Sequence, residues 1–227
     1  MAAAIILSLA GTALDRDAFA APVTVPNAAD TFLIDQTDTC VLSGTHSQIF
    51  EAAWSQSDSA AADDFDVPAS ATWEINQVWA AGGYNHGFGP APYVSVTFYG
   101  PGGDVPGAPI AQCSYDNVST FADSIGRFTI SLPKTCALWG GATGKNYWVS
   151  VRARMDSNYG EWAWDGSSLH GKAAQWQNPG NGFTTNCITW SGIPGCTGIS
   201  YATPDLCFAI KGTIDDDIFF QNGFETL

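Results

Sequence analysis

The chain has 227 residues, enough for one well-buried domain, and carries 22 Asp and Glu against only 8 Lys and Arg. The net charge of −14 repels phosphate groups, so nucleic acid and anionic membrane surfaces are excluded as expected partners. Charged residues make up only 13% of the chain and aromatic residues another 13%, which favours a packed domain over a disordered acidic chain.

The first twenty residues have the features of a secretory signal peptide. Ala2–Leu14 is apolar but too short to span a membrane, and Ala18–Ala20 reads Ala-Phe-Ala, a small-x-small cleavage pattern. We therefore expect residues 1–20 to be removed on export and the mature protein to be secreted or displayed on the outer cell surface. No later stretch reaches about 18 uninterrupted apolar residues, so no membrane span is expected in the mature chain.

The six cysteines predict three disulfides, because an exported chain folds in an oxidising compartment. No CxxC motif is present, which argues against a zinc site. The spacing favours a bridge within the turn-rich loop "ITWSGIPG", a bridge across a hairpin around "ADSIGR", and by elimination a bridge between the two ends of the domain. These pairs are Cys187–Cys196, Cys113–Cys136 and Cys40–Cys207.

Alternating apolar and polar residues predict β-strands through most of the chain. In "YWVSVRARM", for example, one face carries Tyr147, Val149 and Val151, and the other carries Trp148 and Ser150. Clusters such as "YGPGGDVPGAP" and "QNPGNG" supply turns, and no long helical pattern occurs. The chain is therefore predicted to be all-β: an antiparallel β-sandwich of jelly-roll or immunoglobulin-like topology, stapled by disulfides. The sandwich is assigned to residues 21–213 and an acidic, aromatic tail to residues 214–227.

Several segments also carry a family resemblance. The runs "ADDFDVP", "TWEINQVW", "VSVTFYGPGGDVPGAPIA", "YWVSVRARM", "AQWQNPGNGF" and "PDLCFAIKGT" resemble an uncharacterised family of secreted bacterial β-sandwich domains found in surface-displayed proteins. The tail "DIFFQNGFE" is similar to short "IF-x-x-GFE" segments at the C-termini of exported proteins. The resemblance covers about residues 63–213 and implies a compartment. It implies no catalytic residues.

A binding site would be expected among the tryptophans of residues 159–198. Flat indole faces stack on sugar rings while amides bond to hydroxyl groups, so this composition suits a carbohydrate site. In "GEWAWDG" the two tryptophans share one strand face and the acids share the other, so these tryptophans form either a platform or part of the core. If they are core, the sugar-binding surface falls to tryptophans in the loops. The candidate ligand-binding residues are Trp162, Trp164, Trp176, Trp190, Asn178 and Asn181.

Catalytic and metal sites have less support from the sequence. The Gly-x-Ser-x-Gly motif of many serine hydrolases is absent. A hydrolase acting through carboxyl groups remains an alternative, with Glu161 or Asp165 as the acid. Acid clusters suit calcium, and Asp63, Asp64 and Asp66 are the candidate ligands of a structural calcium ion; no cofactor is expected to be required. The sequence favours a non-catalytic binding or structural module, with an extracellular polysaccharide or cell-surface component as its partner.

Overall fold

The structure is a computed structural model that describes residues 30–168, 170–196 and 204–215. The predicted signal peptide and residues 216–227 of the predicted tail lie outside these residues. Ile214 and Asp215, which the sequence pattern also assigns to the tail, belong to the last strand, Phe208–Asp215. Within the described ranges, no helix has the length and apolar character needed to cross a membrane.

The described residues form sixteen β-strands and three short 3₁₀ helices. The helices span Ala52–Ser57, Ser157–Tyr159 and Ile193–Gly195. The strands are β1 (Thr31–Asp35), β2 (Val41–His46), β3 (Gln48–Ile49), β4 (Ala60–Val67), β5 (Thr72–Ala80), β6 (Gly82–Asn85), β7 (Tyr93–Tyr99), β8 (Pro109–Val118), β9 (Phe121–Ser124), β10 (Arg127–Trp139), β11 (Lys145–Arg154), β12 (Glu161–Ser167), β13 (Gln175–Gln177), β14 (Ser191–Gly192), β15 (Asp205–Leu206) and β16 (Phe208–Asp215).

These strands build three sheets packed together as an antiparallel β-sandwich, which confirms the predicted fold class. The first sheet has the order β1-β16-β5-β10-β9. The second has the order β14-β13-β4-β11-β7-β8, with β3 pairing in parallel with β11. The third is a smaller sheet, β15-β12-β2, to which β6 adds by pairing with β12. The core lies between the inward faces of these sheets.

In β11 the predicted alternation of buried and exposed side chains is confirmed on the inner face, but the outer face is buried as well. Val149 and Val151 are fully buried in the main core. Trp148, which alternation assigns to solvent, is also fully buried because Tyr99 and Trp190 pack over that side of the second sheet. A sheet covered on both faces in this way no longer displays a period of two in its burial.

A bulge in β5 changes which residues face the core. Ile75 pairs with Gly212 and Gln77 with Lys211, so β5 advances two residues while β16 advances one. Ile75 and Val78 are consequently both fully buried. Such an extra residue shifts the side-chain alternation by one position.

All three predicted disulfides are present. Cys113–Cys136 joins β8 of the second sheet to β10 of the first, and Cys187–Cys196 closes a surface loop. Cys40–Cys207 spans 167 residues of sequence with its Cα atoms 5.4 Å apart. It attaches the segment before β2 to the start of β16, the strand that lies between β1 and β5.

We expect removal of Cys40–Cys207 to destabilise the protein more than removal of Cys187–Cys196. Loop-closure entropy gives about 5 kcal/mol for the long loop and about 2.5 kcal/mol for the short one. Denaturant unfolding of the paired Cys→Ala variants would measure both values. Equal losses, or a larger loss from the short loop, would contradict the expectation.

Candidate functional site

Two adjoining cavities form a groove on the outer side of the first sheet. They share Thr37 and Trp79 in their walls and have volumes of about 210 Å³ and 350 Å³. The larger volume is within the usual range for a small-molecule or sugar site. The smaller cavity, here the lysine end, is also lined by Phe32, Asp35, Gln77, Thr129, Ala209 and Lys211. The larger, here the arginine end, is also lined by Cys40, Val41, Leu42, Ala81, Arg127 and Asp165.

Trp79 faces this groove because of the bulge in β5. Trp73 and Trp79 are six residues apart, an even number, so strict alternation along a strand would place both on the same face. Trp73 is buried at 4% exposure, whereas Trp79 is only half-buried and lines both cavities. The bulge therefore turns one tryptophan of the "TWEINQVW" strand into the core and the other toward the groove.

The lysine end combines an aromatic ring with polar groups. Phe32 is 56% exposed, and the Lys211 ammonium lies 4.3 Å from the centre of its ring. Such a cation over a ring face holds the two side chains together. The Asp35 carboxylate accepts hydrogen bonds from the Thr37 amide (3.0 Å) and hydroxyl (2.6 Å), which orders the turn after β1.

The arginine end contains a buried carboxylate to which no described side chain donates. Asp165 is 5% exposed and lines the cavity, and among the described side chains none donates a hydrogen bond to its carboxylate. Burial raises the pKa of Asp165 to about 6, and the nearby positive charge of Arg127 opposes that rise. Arg127 is exposed and forms no ion pair within the described part of the chain.

Trp162 and Trp164 are core residues, so the platform alternative for "GEWAWDG" is wrong. Both are fully buried, and their ring centres lie 6.0 Å apart. Each indole N–H donates to a backbone carbonyl: Trp162 to Gly126 at 2.8 Å and Trp164 to Cys207 at 2.9 Å. Neither ring has a free face for a ligand.

The loop tryptophans do not form the expected sugar-binding surface either. Trp176 lies in β13, is fully buried and donates its indole N–H to the His46 carbonyl at 2.7 Å. Trp190 is half-buried and packs edge-on against Tyr99, with ring centres 5.6 Å apart. Trp176 belongs to the main core and Trp190 covers the second sheet, and neither lines the groove.

Asn178 and Asn181 order the loop around them. The side-chain nitrogen of Asn178 donates to the backbone carbonyls of Gln56 (2.8 Å) and Asp58 (2.9 Å). Its side-chain oxygen accepts from the backbone N–H of Phe183. Asn181 has a positive φ of 55° and accepts from the Asn186 amide. Both polar atoms of the buried Asn178 side chain already bond to backbone, so they are not available to bind sugar hydroxyls.

Glu161 and Asp165 do not form a pair of catalytic carboxylates. Glu161 lies 3.1 Å from the His46 imidazole, and the hydrogen bond from His46 lowers its pKa. Four residues of extended strand separate the two acids by about 13 Å, beyond the usual glycosidase separation of about 5 to 10 Å. Only Asp165 reaches the groove.

The predicted calcium ligands already bond to protein donors. The Asp63 carboxylate accepts from the Leu206 and Asp64 amides, and Asp64 accepts from Asn146 and from the Lys172 amide. Asp66 is exposed and also accepts from Asn146. Across residues 30–168, 170–196 and 204–215, no three His, Cys, Asp or Glu side chains are grouped so that they could hold a metal ion.

Asp63 instead belongs to a buried acid pair with Asp205. Asp63 is 0% and Asp205 1% exposed, and the Asp205 carboxylate accepts from the His170 amide while its Oδ1 has no partner. Burial and the neighbouring carboxylate raise the pKa of Asp63 well above its usual value. Burial raises the pKa of Asp205 to about 6.

A further cavity of about 330 Å³ lies beside β3 and β11. Its acidic wall residue Glu51 already accepts two hydrogen bonds from Ser157. Its wall contains the rings of Phe50 and Tyr93 but no tryptophan, so it lacks the large indole face of the groove.

Substituting Trp162 with Phe is expected to destabilise the fold by about 1 to 3 kcal/mol, because the buried Gly126 carbonyl loses its donor. Trp54→Phe is the control, since Trp54 is 51% exposed and a surface change typically costs within about 0.5 kcal/mol. Urea unfolding measures both. Equal effects would contradict the core assignment of Trp162.

The protein is expected to be more stable at pH 4.5 than at pH 7.5. Asp63, Asp165 and Asp205 have folded-state pKa values above their unfolded values, so the stability that they contribute is full below about pH 4. The contribution of Asp165 and Asp205 is lost as pH rises through about 6, and that of Asp63 is lost as pH rises through its raised pKa. Asp205→Asn should raise stability at pH 7.5 by up to about 3 kcal/mol and change it little at pH 4.5. Thermal unfolding at both pH values measures this.

The control for this change is Asp104→Asn, because the Asp104 side chain is 98% exposed. It should shift the melting temperature by the same small amount at either pH. A wild-type protein that is more stable at pH 7.5, or an Asp205→Asn variant that keeps the full pH dependence, would contradict the assignment of the acid pair.

Comparison with known proteins does not extend this picture. No protein-family model, curated protein or solved structure matches the chain. The functional argument therefore depends on the residues of the groove.

Proposed function

We propose that the protein is an extracellular, non-catalytic binding module that holds a polysaccharide in the groove over Trp79. The observation that carries the proposal is the half-buried Trp79 ring, which lies in the walls of both cavities together with hydroxyl, amide and charged side chains. Indole faces stack on the apolar faces of sugar rings, and such polar groups bond to ring hydroxyls.

The exposed apolar groups beside Trp79 support this proposal. Phe32 is 56% and Leu42 85% exposed, one at each end of the groove. Apolar groups that remain exposed around a concave site commonly mark a ligand surface. The three disulfides fit an extracellular location, because such bonds persist in oxidising compartments.

A second candidate is a polysaccharide hydrolase with Asp165 as its acid. The observation that favours it is the raised pKa, about 6, of a carboxyl group in the groove. Asp165 is the only carboxylate in the arginine end, and Asp35 lines the other cavity. Release of reducing ends from a retained polysaccharide at pH 5 to 6, abolished in Asp165→Asn, would establish this activity instead of simple binding.

Trp79→Ala is expected to weaken polysaccharide binding at least tenfold, which corresponds to about 1.4 kcal/mol. Affinity electrophoresis through gels containing glucans, mannans, xylans and acidic polysaccharides measures the retardation. Trp139→Ala is the matched control, because Trp139 is 51% exposed on the same sheet but does not line the groove. Retardation that is equal in both variants, or absent in the wild type, would refute the proposal.

A further inference from the structure

The backbone of Asp165 is anchored beside the arginine end of the groove. Its backbone N–H donates to the Ala81 carbonyl at 2.8 Å, and its carbonyl accepts from the Cys207 amide at 2.9 Å. The preceding residue, Trp164, is buried in the core. The carboxylate therefore projects from a fixed backbone position into the wall of the cavity.

The Asp165 carboxylate is available to accept hydrogen bonds from a ligand. None of the described side chains donates to it, and its oxygens are open to the cavity rather than sealed in the core. Arg127 lies close enough to influence Asp165 electrostatically, yet these two described side chains form no ion pair. Hydroxyl groups of a ligand would replace water as donors to this carboxylate.

The charges of the groove select against a strongly charged ligand. Each end has one acid and one base: Asp35 with Lys211, and Asp165 with Arg127. A polyanion would be repelled by the two carboxylates and by the chain's net charge of −14. A polycation would be repelled by the positive charges of Lys211 and Arg127. Hydroxyl groups can donate to the carboxylates and accept from the cations, so they complement both.

We propose that Asp165 and Arg127 form a subsite for the hydroxyl groups of an uncharged polysaccharide, next to the sugar ring that stacks on Trp79. This inference rests on the proposed function of the groove. Asp165 accepts from ligand hydroxyls, and Arg127 donates to ligand oxygens. Both charges are then satisfied by a ligand that has none, and this gives the groove its preference for neutral polymers.

The test compares wild type, Asp165→Asn and Arg127→Met by affinity electrophoresis at pH 7.5. The neutral probes are soluble glucan, mannan and xylan, and the acidic probes are polygalacturonate and alginate. Loss of a hydrogen bond to a charged group predicts at least tenfold weaker binding of the neutral probe by each variant. Glu161→Gln is the matched control, since it removes a carboxylate from the same strand outside the groove.

Each outcome distinguishes this subsite from the proposed function itself. Wild-type binding of a neutral probe, weakened in both groove variants and kept in Glu161→Gln, supports the subsite. Neutral binding that survives Asp165→Asn overturns the subsite and leaves the groove at Trp79 in place, as does a preference for the acidic probes. No binding of any probe by the wild type overturns both. Thermal unfolding verifies that the variants fold, and Arg127→Met provides a second variant at an exposed position.

Discussion

The two buried indole hydrogen bonds, from Trp162 to Gly126 and from Trp164 to Cys207, are the constraint on which the groove depends. They fasten β12 to the turn before β10 and to the start of β16. Arg127 follows Gly126 directly, and Asp165 follows Trp164. The tryptophans therefore shape the arginine end without lining it, because they fix the backbone from which its two charged side chains project.

Much of the fold could be predicted from local sequence patterns. Alternation identifies strands such as β11, turn-forming clusters mark their ends, and cysteine spacing gave the correct pairs. Strands and turns depend mainly on residues that are close together in the chain, so a single sequence is enough to predict them. The burial of Trp148 could not be read in this way, because its cover comes from Tyr99 and from Trp190, which is distant in the sequence.

The candidate site was much less predictable, and the reason is again physical. A high density of tryptophan identifies neither core nor surface: Trp176 packs in the main core, whereas Trp79 faces the groove because β5 has one extra residue. No residue type marks that bulge, since it depends on the register with β16. The sequence indicates Asp165 only as a candidate catalytic acid, and nothing in it singles out Arg127, because its position near Asp165 arises from sheet packing.

The central position of β16 in the first sheet has a consequence for how the molecule is made. This strand is almost the last part of the described chain, yet β1 pairs only with it and β5 needs it as a neighbour. The sheet under the groove thus cannot close until β16 has been synthesised, and its assembly depends on long-range pairing, which is slow. Until then the open edge of β5 is a template for association with other chains.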